Sequence, residues 1–264
     1  MGAPIARRPR LVAGNWKMNK TASEGAALAR EIVALSAGDP AASASAVEVV
    51  LCPPFTALEA VGAALRGNGV HLGAQDLHAE SHGAFTGEIS GAMLAALACR
   101  FVLVGHSERR HLMGETDEQV ARKMRAALRD CLVPIVCVGE TLGEHEAGRT
   151  ADVLVRQIAA AYTGLDAATA RGTVIAYEPV WAIGTGKVAT PEQARDAHRV
   201  IRATLHQVVG ADTGSTLPIL YGGSVNAGNA AALFAEEEVD GALVGGASLI
   251  AADFVAICRA ARGE

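Results

Sequence analysis

Eight short apolar runs, separated by stretches long enough to be helices, recur along the 264 residues: Leu11–Ala13, Val47–Cys52, Val70–Gly73, Phe101–Val104, Val133–Val138, Val174–Tyr177, Pro218–Tyr221 and Gly241–Val244. Strands alternating with helices imply βαβ units and a parallel sheet. The runs are continuously apolar instead of alternating, as strands covered on both faces require. Between them, Asp117–Asp130 places Val120, Met124 and Leu128 at four-residue spacing with basic residues in between, which predicts an amphipathic helix. Pro191–Val209 predicts another, with Thr190 as N-cap, Pro191 at the first helical position and Glu192 in the first turn.

An open doubly wound sheet shares this alternation, but it gathers its ligand groups at one switch point, whereas a barrel draws them from the ends of many strands. Here polar or glycine-rich punctuation follows nearly every run: GNWK, GAQD, GHSERR, GE, EP, GGS and GGAS. The pattern favours an α/β fold closed as a (β/α)8 barrel. No low-complexity linker interrupts it, so one domain is expected over residues 1–264, with its core at about 10–257. Barrels of this class run as one unit at roughly 250 residues. Half the residues are hydrophobic and only 4% are aromatic, so Ala, Val, Leu and Ile must build the interior.

Acidic residues outnumber basic ones, 28 to 23, for a net charge of −5, which argues against a nucleic-acid partner. No run approaches the ~20 apolar residues of a membrane span, and the basic opening lacks a signal-peptide apolar segment. The five cysteines, Cys52, Cys99, Cys131, Cys137 and Cys258, are dispersed without metal-ligand spacing and read as buried thiols in a reducing, cytoplasmic setting.

Glu178 directly follows an apolar run and precedes Pro179. At a barrel mouth such a carboxylate is desolvated and becomes a stronger base, although by position alone a strand-end Glu that caps a helix or pairs with an arginine is the commoner case. The next stretch, Pro179–Ala189, has stiff ends around a small tip, Gly184–Thr185–Gly186, and reads as a lid or as an ordinary loop. Gly222–Gly223 before Ser224, and Gly245–Gly246 before Ala247–Ser248, follow the last two strands, where barrels often hold phosphate. His106 opens a helix, whose dipole disfavours its protonated form, so it reads as a neutral hydrogen-bond donor or, more commonly for a lone histidine, as a structural residue. Arg109 and Arg110 beside it read as surface or ion-pair residues. Asn15 and Lys17 lie just past the first strand, where the lysine either supplies positive charge or is simply solvated.

Taken together, AGNWKMN (Ala13–Asn19), GHSERR (Gly105–Arg110), AYEPVWAIGTGK (Ala176–Lys187), YGGS (Tyr221–Ser224) and VGGASL (Val244–Leu249) resemble the signature of the triosephosphate isomerase family, in its proper order from about Arg10 to Ile257. The resemblance implies interconversion of dihydroxyacetone phosphate and D-glyceraldehyde 3-phosphate through an enediolate, serving glycolysis and gluconeogenesis without cofactor or metal. By likeness Glu178 is the base and His106 a neutral electrophile, a pairing for which this family is itself the standard example. Lys17 and Asn15 stabilise negative charge; Gly184, Ser224, Gly245 and Gly246 hold phosphate; and Glu108 matches a further position beside the site. Residues 76–90, with Thr86 at the tip, are similar to the loop that enters a neighbouring subunit in this family and braces Asn15 and Lys17 there, so a homodimer is implied. Met113 stands where an aromatic is common and His145 where an arginine is common. The rivals are another phosphosugar barrel enzyme, or a catalytically silent phosphate-binding barrel. A Schiff-base aldolase would need a lysine inside a strand, and the apolar runs contain none.

Overall fold

A computed structural model describes residues 8–37, 47–184 and 187–263. Its strands are β1 (Arg10–Asn15), β2 (Val47–Cys52), β3 (Val70–Ala74), β4 (Phe101–Val104), β5 (Val133–Val138), β6 (Val174–Tyr177), β7 (Ile219–Tyr221) and β8 (Gly241–Val244). They form a closed parallel barrel in sequence order. Closure pairs Leu11–Gly14 of β1 with Gly241–Val244 of β8. Helices fill the crossovers that parallel neighbours need.

Two strands are longer than the apolar runs suggested. β1 continues because Gly14 and Asn15 still pair with Leu51 and Cys52, and a ladder is indifferent to side-chain polarity. Ala74 likewise extends β3 by pairing with Val102. β7 is shorter: Pro218 has no N–H to donate, although its carbonyl accepts from Ile175 N–H at 3.0 Å.

Alternation within each apolar run divides the core in two. Leu11, Ala13, Val50, Cys52, Leu103, Ile135, Cys137, Ala176, Leu220 and Leu243 fill the barrel interior. Their strand neighbours Val12, Leu51, Val102, Val136, Ile175 and Val244 pack outward against the helical layer with Ile32, Met124, Ile158, Ile201 and Phe254. Burying one such aliphatic side chain contributes about 1.5–3 kcal/mol, which is why both faces of every strand stay apolar.

The helix Pro191–Val209 begins as predicted, with Thr190 and Gln193 forming a reciprocal capping box and Pro191 in the first turn. The helix at Asp117 ends at Arg129, one residue early. Its C-terminus closes through Leu132 N–H to Ala127 O at 2.8 Å and Cys131 N–H to Leu128 O at 3.2 Å, which puts Cys131 in the left-handed region at φ +60°. That turn aims its side chain outward. Cys131 is therefore exposed, contrary to the expectation of five buried thiols; the other four are buried and unpaired.

Site residues gather at one end because all eight strands run in the same direction. Asn15 ends β1, while Gln75, Gly105, Gly139, Glu178, Gly222 and Gly245 directly follow β3, β4, β5, β6, β7 and β8. Among the described residues no helix is long and apolar enough to cross a membrane.

Gly241 at the opposite end shows how tightly the barrel closes. Its φ is +148°, and a Cβ there would lie 1.8 Å from the Leu11 carbonyl oxygen. Gly241→Ala is expected to destabilise the protein by on the order of 3 kcal/mol, about 6–10 °C in Tm, whereas Gly143→Ala, where a Cβ meets nothing within 4 Å, leaves Tm within a degree or two. Thermal unfolding of the two variants checks this, and equal Tm values would mean that β8 can shift freely.

Candidate functional site

Glu178 is only 2% exposed. Its backbone N–H donates to Val138 O at 2.7 Å, which continues the β5–β6 ladder by one residue beyond Tyr177. The strand then stops at Pro179, which has no donor. Across the ladder only glycine fits: a Cβ on Gly139 would lie 1.8 Å from the Glu178 carbonyl oxygen. The carboxylate accepts from Ser107 N–H through Oε2 at 2.8 Å. Oε1 lies 2.9 Å from His106 Nε2, but the ring N–H is not aligned on it, and Oε1 accepts no well-formed hydrogen bond.

Burial pushes the Glu178 carboxyl up, as expected from sequence, but the adjacent His106 ring, the Ser107 N–H and Lys17 outweigh it and hold the pKa below the ordinary carboxylate value. The expected rise is thus reversed, because burial brings the carboxylate its own donors.

His106 caps the short helix Ser107–Leu112 from non-helical dihedrals, φ −52° and ψ 142°, and its ring accepts from Glu108 N–H. That bond is made at Nδ1, 3.2 Å away. Burial pushes the imidazole pKa down, while Glu178 and Glu108 pull it up, and the upward pull wins. A protonated Nδ1 could not accept the Glu108 N–H, however. That hydrogen bond puts the ring's first proton on Nε2, facing Glu178, and opposes a second one on Nδ1.

Lys17 sits in the left-handed region at φ +51°, a conformation that costs a side-chain-bearing residue about 1–3 kcal/mol. Three contacts hold it there. Its N–H donates to Asn15 Oδ1 at 3.0 Å, its carbonyl accepts from Gln75 Nε2 at 2.8 Å, and its ammonium pairs with Glu108 Oε1 at 2.6 Å. Gln75 also donates to Cys52 O at 2.9 Å, tying the ends of β2 and β3 to this turn. Sequence reasoning did not single out Gln75 as a site residue; its one signal was the GAQD punctuation after the third run.

A cavity of about 360 Å3 is lined by Asn15, Lys17, His106, Glu178, Gly184, Ser224, Gly245 and Gly246. Sequence-predicted residues from the ends of five strands therefore meet in one place. Glu108 lies apart from it, in an adjoining recess of about 170 Å3 that shares Asn15, Lys17 and His106. On the glycine side the floor is open: a Cβ on Gly246 would meet nothing within 4 Å, and one on Gly245 only Lys17 Cε at 3.7 Å. An anion resting on these backbones would thus have a cation beside it. Thr185 and Gly186, the rest of the predicted tip, lie outside the described residues.

Behind the site, the buried Lys123 ammonium pairs with Asp76 at 2.7 Å and with Glu115. Arg109 pairs with Asp76 at 2.9 Å, and Arg110 with Asp117 at 2.6 Å while donating to Gly105 O and Cys137 O. The two arginines next to His106 are thus structural ion-pair residues. Among the described residues no group of three His, Cys, Asp or Glu side chains could hold a metal ion.

The family model described as Triosephosphate isomerase matches residues 10–261. A triosephosphate isomerase of Rhodopirellula baltica is 53% identical over 251 residues, covering 95% of this chain and 97% of that protein. One from Moorella thermoacetica is 52% identical over 251 residues, with 95% and 98% covered. One from Chlorobium luteolum is 50% identical over 253 residues, with 96% and 99% covered.

The depressed pKa of Glu178 has a stability signature. A carboxylate whose folded pKa lies below its unfolded value stabilises the fold above the unfolded pKa, and that contribution is lost as pH falls through the folded value. The stability of the wild type relative to Glu178→Gln, read from urea midpoints, is expected to be constant near pH 6–7 and to fall below about pH 4.5. A difference that instead grows in favour of the wild type on acidification would mean that burial dominates and the pKa is raised.

Proposed function

The chain belongs to the triosephosphate isomerase family, and from that membership we propose that Glu178 is the base of its reaction and His106 the electrophile opposite. The reaction is the reversible interconversion of dihydroxyacetone phosphate and D-glyceraldehyde 3-phosphate. A proton moves between neighbouring carbons and no electrons are gained or lost, so the redox balance closes within the substrate.

The observation that carries these roles is the shared cavity in which His106 Nε2 lies 2.9 Å from a carboxylate oxygen that accepts no well-formed hydrogen bond. Glu178 removes a proton from the carbon beside the carbonyl, leaving an enediolate, and returns it to the other carbon. The Nε2 proton of neutral His106 is placed to polarise the carbonyl oxygen and to pass between the two enediolate oxygens. This division of roles is the one for which the family is the standard example. A substrate entering between ring and carboxylate would separate them and draw Glu178 away from Ser107 N–H. Burial would then be opposed by Lys17 alone and would make the carboxylate a stronger base at the moment of proton transfer.

Lys17 and Asn15 would stabilise the developing negative charge, with Glu108 holding the Lys17 ammonium over the cavity. Gly184, Ser224, Gly245 and Gly246 would receive the phosphate. Each charge-assisted hydrogen bond contributes about 1.5–3 kcal/mol, so several suffice for a dianion without a metal. We assign Pro179–Ala189 as the lid, as in the family's known example. Its closure would exclude water and keep the enediolate from expelling phosphate to form methylglyoxal. Five unpaired cysteines support a reducing, cytoplasmic setting.

A homodimer is the assembly we infer. The base of residues 76–90 is closed by His78 N–H to Ile89 O at 2.8 Å, and Thr86 lies in its exposed stretch. Exposed apolar side chains border the Lys17 recess, including Met18 at 95% and Met113 at 68%. That exposure supports a partner's Thr86 tip covering the recess.

Glu178→Gln is expected to lower kcat by roughly 10²–10⁴-fold with a small change in KM. A coupled assay of glyceraldehyde 3-phosphate isomerisation measures it, and full activity in the variant would refute the assigned base. Sedimentation at micromolar concentration is expected to give a dimer for the wild type and monomer for Thr86→Glu. A monomeric wild type with full activity would refute the assembly.

A further inference from the structure

The loop after β7 takes its shape from side chains more than from its own backbone. Gly222 N–H still donates to Tyr177 O at 2.7 Å, but there the ladder stops. Among the described residues the N–H groups of Gly223, Ser224 and Val225 donate to no backbone carbonyl, yet these three residues line the main cavity. A segment with so few bonds of its own keeps a single shape only if something outside it does the holding.

Asn229 is that holder. It stands at the N-terminus of the short helix Ala230–Phe234, where its side chain makes no capping bond. The amide turns back to the loop instead. Its Oδ1 accepts from Asn226 N–H at 2.8 Å, and its Nδ2 donates to Ser224 O at 3.0 Å. A neighbouring strand would likewise bond the carbonyl of one residue and the N–H two places on, so one primary amide stands in for the missing ladder. Asn229 is itself fixed in place. Asn226 Oδ1 accepts from Gly228 N–H at 2.8 Å and from Asn229 N–H at 3.1 Å, a turn that asparagine side chains favour.

Peptide planarity carries this hold into the cavity. The Ser224 carbonyl and the Val225 N–H share one rigid plane and point in opposite directions. Drawing that carbonyl onto Asn229, which does not line the cavity, turns the N–H away from Asn229 and fixes the backbone at Ser224. We propose that Asn229 is a positioning residue for the phosphate end of the substrate: by bridging Ser224 and Asn226 it preshapes the loop after β7 before an anion arrives. The proposal rests on reading Ser224 as a phosphate-binding residue. Preshaped donors need no rearrangement on binding, so loss of the bridge weakens the hold on phosphate and leaves Glu178 and His106 where they are.

Inorganic phosphate, used as a competitive inhibitor of glyceraldehyde 3-phosphate isomerisation, reads this hold directly. Its inhibition constant does not depend on how much of the enzyme is folded. We expect Asn229→Ala to raise that constant on the order of tenfold, and to raise KM more than it lowers kcat. Unphosphorylated D-glyceraldehyde has nothing to place on Ser224, so its kcat/KM per active site should stay unchanged. Asn229→Ser, a good N-cap too short to bridge both groups, should shift the phosphate constant the same way and serves if the alanine variant folds poorly. Gly246→Asp is the control for the phosphate site, because a Cβ there meets nothing within 4 Å and the carboxylate is added without a clash. If Gly246→Asp raises the phosphate constant and neither Asn229 variant does, the role given to Asn229 is wrong while the phosphate reading stands. If Asn229→Ala lowers kcat/KM equally on both aldehydes, its role is general packing and the proposal fails. If no variant changes the constant, the phosphate reading of this end of the cavity fails as well.

Discussion

Everything at the mouth of the barrel depends on keeping one carboxylate, Glu178, ionised in a place with almost no water. Burial alone would favour its neutral form. The fold opposes this with a backbone donor from Ser107, the His106 ring and the more distant charge of Lys17. These donors come from the loops after β4 and β1, whereas Glu178 itself follows β6. Only closure of the barrel brings them together, so the electrostatics of the base and the topology of the sheet are one requirement.

The second requirement is rigidity around strained or crowded backbone. Lys17 adopts a left-handed turn because Gln75, Asn15 and Glu108 hold its carbonyl, amide and ammonium respectively. Gly139 admits the Glu178 carbonyl at a distance no side chain would allow. Glu140, next in sequence, clamps Tyr177 and Trp181. Neighbouring residues on the same loop thus make room for the base and fasten the segment that carries it. Preorganisation of this kind lets a single ionised group face developing charge without rearranging its surroundings at the moment of reaction.

The regular elements were legible in the sequence because they follow from periodic burial. Apolar runs marked five strands to the residue, Thr190 and Pro191 marked a helix start, and Val120, Met124 and Leu128 marked a buried helical face. The misreadings have a common cause. β1 runs on through Gly14 and Asn15 because the adjacent ladder extends them, and Cys131 is exposed because a helix ends in a left-handed turn there. In both, backbone geometry set by neighbours overrode the character of the side chain.

The sequence by itself determined the alternating architecture, the family and the set of residues at the strand ends, since composition, spacing and motif are properties of the chain alone. Tertiary structure alone decided that Gln75 supports Lys17, that Glu108 stands in a side recess away from the main cavity, and that Glu178 is held below the ordinary carboxylate pKa instead of above it. Each of these turns on distances of a few ångströms between groups 58 to 91 positions apart, as with Gln75 and Lys17, Ser107 and Glu178, and Lys17 and Glu108. Hydrogen bonds and screened charges act over such distances and no farther, so they exist only once the eight strands have closed.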